Sequence, residues 1–81
     1  MRVELTERAI AELAAAPLAV QKAFIKQMSF LSRDVRHPSL RAKRLDERIE
    51  RWQARVNDDW RFYFIHVKGS YSVDSIISHP K

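Results

Sequence analysis

The chain has no cysteine, which removes disulfide frameworks, thiolate zinc sites and cysteine nucleophiles together. It has a single glycine, Gly69, so it cannot build a glycine-rich loop that cradles phosphates. Long hydrophobic runs are also missing. The longest, Leu13 to Val20, is interrupted by Pro17 and follows Glu4, Glu7 and Glu12, which suits neither a membrane span nor a signal peptide. The expectation is a cytoplasmic protein with no membrane association. The histidines, His37, His66 and His79, are far apart and lack metal-ligand spacing. No metal site and no cofactor are therefore expected, and a serine-hydrolase triad has no support. Asp58-Asp59 is the one adjacent carboxylate pair outside Asp46-Glu47, and it reads as a turn, where aspartate is favoured for backbone reasons.

What remains is enough for one globular domain spanning residues 1–81, with 46% hydrophobic and 31% charged residues. A chain of this size hides only roughly 60–65% of its unfolded surface, so its core is thin. The net charge is +5, and position matters more than the total. Between Arg33 and Arg44 there are five lysines and arginines against one acid, Asp34. Such a block suits a polyanion, though a solvated charged face is an equally ordinary use of it.

Met1 to Leu5 alternates as a short strand. Thr6 stands where a helix N-cap belongs, and Ile10, Leu13 and Ala14 form the apolar stripe of a helix through about Ala16. Pro17 separates it from a second helix with Val20, Phe24, Met28 and Leu31 on its stripe, ending near Arg33–Asp34. His37-Pro38 opens a connector in which Leu40 and Leu45 anchor to the core and Arg41, Lys43 and Arg44 point outward. Trp52, Ala54 and Val56 then alternate with Arg51, Gln53 and Arg55. Across an Asn57-Asp58-Asp59 turn, Phe62 and Phe64 alternate with Arg61, Tyr63 and Ile65, which reads as an antiparallel hairpin. Gly69 marks a second turn. Tyr71 to Ser78 is the last strand, and its apolar positions, Val73, Ile76 and Ile77, do not alternate cleanly, which fits a central strand covered on both faces. The expected fold class is α+β: a small, twisted, mainly antiparallel sheet with an N-terminal helical hairpin on one face. The other face is left partly open, with Arg55, Arg61 and Tyr63 on it.

The loop His37-Pro38-Ser39-Leu40 leading to Lys43-Arg44-Leu45, the hairpin Trp52 to Phe64 with Arg61 after its turn, and the closing segment Ile76-Ile77-Ser78-His79-Pro80-Lys81 together resemble the RelE/ParE toxin superfamily of type II toxin–antitoxin systems. The resemblance covers nearly the whole chain and rests on the joint arrangement, since no single motif in it is diagnostic. It implies the fold just described and a toxin neutralised by a cognate antitoxin protein. RelE-like members cut mRNA in the ribosomal A site without a metal, so ribosome and mRNA are the implied partners. ParE-like members share the fold and poison DNA gyrase, which is the alternative target. A third reading is a non-toxic relative that only binds its antitoxin.

Carried over residue by residue, the resemblance makes Arg61, His79 and Arg55 the catalytic candidates. Lys43, Arg44, Arg41, Tyr63, Trp60 and Lys81 are the RNA-binding candidates. RNase relatives place a second basic residue in the hairpin's first strand, where Gln53 stands here. Many follow the closing strand with a tyrosine or phenylalanine, where this sequence reads Pro80-Lys81. The chemistry suits the residue types: arginines hold a phosphate and stabilise its developing charge. A histidine moves a proton near neutral pH, and aromatics stack on splayed bases. Each candidate also has an ordinary use, such as Arg55 paired with Asp58, or the tryptophans filling the core edge.

Overall fold

Thr6 decides where the first helix begins. In the computed structural model, which describes residues 1–79, the Thr6 hydroxyl accepts the Ala9 N–H at 3.2 Å and caps the helix. It ends strand β1 (Arg2–Leu5) and starts helix α1 (Glu7–Ala15). Pro17 stands just before α2 (Leu18–Arg33), where its missing N–H is no loss. A 3₁₀ turn at Pro38–Leu40 follows, then β2 (Lys43–Asp46), β3 (Arg51–Arg55), β4 (Trp60–Val67) and β5 (Ser70–Ser78). The strands form one five-stranded sheet in the order β1-β5-β4-β3-β2. β1 runs parallel to β5, and every other neighbouring pair is antiparallel. The only glycine sits in the β4–β5 turn at φ 76°, a conformation that costs glycine nothing.

Both helices cover one face of the sheet. Phe24 and Leu31 from α2 meet Phe62 and Phe64 of β4 and Val73 and Ile76 of β5, all essentially without solvent exposure. Phe24 packs edge-on to Phe62 with ring centroids 5.2 Å apart. Leu40 is fully buried and anchors the 3₁₀ turn, in agreement with its expected role.

Four expectations need correction. The segment around Leu45 is not a connector: Lys43–Asp46 is a fifth strand, and Leu45 is 47% exposed. An edge strand bonded only to β3 needs no apolar face, so KRLD carried no alternation to read. In α1 the buried side chain is Ala9, while Ile10 is 55% exposed. The small alanine lets the helix lie close against β5, and the rotation that seats Ala9 turns Ile10 outward. In α2, Val20, Phe24 and Leu31 are buried as read, but the fourth buried position is Gln27, with Met28 only partly covered. The irregular apolar pattern of β5 comes from a bulge rather than from cover on both faces. Tyr63 pairs with Ser75 and Phe64 with Val73, so Asp74 is the extra residue. The bulge re-phases the strand, and Tyr71, Val73 and Ile76 all reach the helix side.

The core carries the stability of this fold, and α1's outer face does not. In urea unfolding, Phe62→Ala is expected to cost about 3–5 kcal/mol. Ile10→Lys is expected to stay within about 0.5 kcal/mol of the parent. A large loss for Ile10→Lys would place that side chain in the core.

Candidate functional site

The open face of the sheet is set by register. Lys43 on β2 lies beside Gln53 on β3, Gln53 beside Tyr63 on β4, and Arg55 beside Arg61. Residues paired in this way share a face. At the hairpin end, these strands and the 3₁₀ turn enclose a groove of about 240 Å³, lined by Arg41, Lys43, Gln53, Ala54, Arg55, Arg61 and His79. The lining therefore holds four permanent cations and one imidazole, with no carboxylate among the described residues.

Each wall has a local cause. Asn57 builds the hairpin turn by accepting the Asp59 and Trp60 N–H groups on its side-chain oxygen, both at 2.9 Å. Arg61 Nη1 donates to the Asn57 carbonyl at 2.6 Å and to those of Trp60 and Asp58 at 3.0 and 3.2 Å. The His79 N–H donates to the Asp59 carbonyl at 2.7 Å, which ties the end of β5 to the same turn. That one main-chain bond brings the imidazole beside two arginines that lie more than fifteen residues away in sequence. Arg55 Nη1 reaches the Asp58 carboxylate at 3.2 Å, while Arg55 Nε is buried without an acceptor. A charged donor buried in this way carries a desolvation cost that a bound anion would relieve.

The opposite wall hangs on Gln27. Its Nε2 donates to the Ser39 carbonyl at 2.9 Å and the Arg55 carbonyl at 2.8 Å, and its Oε1 accepts from Ser39 Oγ at 2.8 Å. One buried amide thus joins α2, the 3₁₀ turn and the end of β3. Arg41 follows directly at φ 44°, a left-handed conformation uncommon outside glycine, which aims its chain into the groove region. Sequence reading missed Gln27. The signal was there: a polar residue at the buried spacing between Phe24 and Leu31.

Of the nine candidate residues, the groove collects Arg41, Lys43, Arg55, Arg61 and His79. Three others lie apart from it. Arg44 pairs with Trp52 on the helix side of the sheet, with its guanidinium 5.3 Å from that ring's centre. Trp60 points to the same side and packs against the core edge, because it shares the face of Phe62. It is therefore not positioned to stack on a ligand of the groove. Tyr63 is on the open face, but Gln53 Nε2 donates to its hydroxyl at 3.1 Å and Arg51 lies over its ring. Arg51 in turn pairs with the bulged Asp74. Lys81 lies outside the described residues.

The Arg48 side chain, followed by its N–H, holds the Asp46 carboxyl below the usual carboxylate range. Burial, with a smaller contribution from Asp34, pushes the Tyr71 phenol up, so it stays neutral. Among the described residues no cluster of three or more His, Asp or Glu is placed to hold a metal, and no helix is long and apolar enough to cross a membrane.

No family model matches the chain, and no curated protein matches it in sequence. Solved structures do. The archaeal RelE–RelB complex from Pyrococcus horikoshii superposes with a TM-score of 0.81 at 16% identity, over 95% of this chain and 92% of that one. The chain has the RelE/ParE toxin fold. A YoeB/ParE toxin from Agrobacterium tumefaciens matches with a TM-score of 0.78 at 12% identity, over 99% of this chain and all of that one. The DinJ–YafQ complex from E. coli matches at 0.67 and 10% identity, over 98% and 94%. Identities this low carry the RelE/ParE fold and leave the chemistry to be argued from the groove.

Two variants test the construction of the groove. Gln27→Leu keeps the volume and removes all three hydrogen bonds, and is expected to cost about 2–3 kcal/mol in urea unfolding. Asp58→Asn frees Arg55 from an exposed ion pair, and is expected to raise affinity for a short phosphodiester two- to fivefold in a titration at low salt. An unchanged affinity would mean that the Arg55–Asp58 contact does not compete with ligand.

Proposed function

We propose that the protein is the toxin of a type II toxin–antitoxin pair and cleaves mRNA at the ribosome, inhibiting translation in the cytoplasm. The observation that carries this reading is the groove. Arg41, Lys43, Arg55 and Arg61 converge with His79, no carboxylate lines the wall among the described residues, and Arg55 Nε is buried without an acceptor. Such a groove suits one phosphodiester of a single strand.

Cleavage by these residues uses the substrate's own 2′-hydroxyl. Its oxygen attacks the adjacent phosphorus while the bond from phosphorus to the 5′-oxygen breaks. This leaves a 2′,3′-cyclic phosphate and a 5′-hydroxyl. One proton leaves the 2′-oxygen and one is delivered to the 5′-oxygen. The His79 imidazole transfers one of them, and water in the open groove exchanges the other. Arg61 and Arg55 face the extra negative charge of the pentacoordinate phosphorus, where preorganised donors count most. Arg61 is well suited, because its grip on the turn carbonyls holds the guanidinium in place before substrate arrives.

The antitoxin belongs to the same reading. Solved relatives of this fold include complexes named RelE–RelB and DinJ–YafQ toxin–antitoxin. A chain with net charge +5 suits an acidic partner segment laid across Arg55 and Arg61.

Expression in bacteria with separate pulse labelling of protein and DNA synthesis tests the proposal. Wild type is expected to stop protein synthesis first. Arg61→Ala is expected to lower cleavage about 10²–10³-fold. His79→Ala is expected to lower it about 10²–10⁴-fold. Matching urea midpoints, with Arg61→Lys as a milder variant, separate chemistry from folding. An early fall in DNA synthesis with translation intact would assign the gyrase-directed alternative instead, and fully toxic variants would overturn the roles given to Arg61 and His79.

A further inference from the structure

A second hollow lies on the other side of β2. It measures about 400 Å³, within the range of ligand sites, and it shares Arg41 and Lys43 with the first groove. It exists because the helical hairpin does not extend over this end of the sheet. Trp52 is left with the loop before β2 on one flank and Arg44 above its ring. Val35, Ala42 and Trp52 give it an apolar lining and Arg36 adds a cation, while Trp52 is backed by Phe64, with ring centroids 6.1 Å apart, and carries the Arg44 guanidinium over its ring as a flat cationic surface. Trp52 Nε1 is buried without a hydrogen-bond partner. His37 lines the same hollow, its ring stacked on Phe30 at 3.8 Å between centroids and 6° between planes. Its Nδ1 accepts the Ser39 N–H at 3.2 Å, so in the neutral ring Nε2 carries the proton and is free to donate.

We infer that this hollow is a nucleotide subsite, taking one base and its phosphate from the RNA strand that runs on from the cleaved linkage. The inference rests on the RNase reading of the first groove and extends the footprint beyond it. Its warrant is the alternation of surfaces. Cations shared by both grooves, then an aromatic and aliphatic lining, then further cations, match in kind and order a single strand, which carries one anionic group and one flat ring per step. A helical peptide would instead need a continuous apolar stripe. The acids nearby do not close the hollow. Arg44 pairs with Glu50 at 3.4 Å and Glu47 at 3.8 Å, exposed contacts that an incoming phosphate displaces at little cost.

The test uses Trp52 as its own reporter. The chain has two tryptophans, so Trp60→Phe leaves Trp52 as the sole indole. The probes are 2′-O-methyl oligocytidylates of three and six nucleotides, which cannot be cut through a 2′-hydroxyl. The hexamer is expected to bind about tenfold tighter than the trimer and to quench Trp52, while the trimer does not quench it. Arg36→Ala combined with Arg44→Ala is expected to erase the length gain. Arg8→Ala combined with Lys22→Ala, a charge-matched change on the helices, is expected to retain it. Equal affinity of the two lengths, or a gain that survives the Arg36/Arg44 change, overturns the subsite and leaves the first groove's reading standing. Failure of both probes to bind overturns both. Binding and quenching by an oligoglutamate peptide, with no binding of RNA, overturns the subsite in favour of an acidic protein segment.

Discussion

One buried amide organises the basic groove of this molecule. Gln27 stands on the apolar stripe of α2, and its three hydrogen bonds hold the 3₁₀ turn and the end of β3 at fixed distance. Without a partner each of those buried polar groups would cost free energy, so the three elements settle together or not at all. The consequence reaches the site. Arg41 and Lys43 leave from the far side of the turn, and Arg55 leaves from the strand end that the amide grips. The width between the two basic walls is therefore set from beneath, by a residue that touches no ligand.

The groove works against the rest of the fold. Placing four cations around one groove raises their mutual repulsion, and Arg41 adds a left-handed backbone. The molecule answers part of this within the hairpin turn. Turn carbonyls take one edge of Arg61, and the Asp58 carboxylate takes one edge of Arg55. Arg55, whose Nε stays buried without an acceptor, lines the groove. An anion placed there recovers free energy that the protein cannot recover alone, and such local conflict is the usual mark of a functional site. The same reasoning explains why Arg51, equally basic and on the same face, belongs elsewhere: the bulge in β5 presents Asp74 to it, and the pair closes over Tyr63 as part of the sheet surface.

The hairpin from Trp52 to Phe64, the two helices and the turn at Gly69 were legible in the sequence. Each is written in neighbours two to four residues apart, with a threonine cap, a proline break and a glycine to punctuate them. So were the residue types of the groove, since Arg55 and Arg61 alternate with core residues, and His79 ends an apolar strand. The register that faces Arg55 with Arg61 follows from the short turn between them.

Only tertiary structure decided the rest. Strand β2 exists because β3 offers it an edge, not because KRLD prefers to be extended. The bulge at Asp74 depends on what β4 presents opposite, and the burial of Ala9 over Ile10 on how closely α1 approaches β5. Trp60, adjacent to the site in sequence, is turned from it by the pleat, and Tyr63 is held by Gln53 and Arg51, while Gln27, distant in sequence, is brought beneath it. Periodicity determines which face of an element is apolar, because that is a property of one backbone. Which elements meet, and at what register, is settled by packing and hydrogen bonds between segments, and these leave no local pattern in the chain.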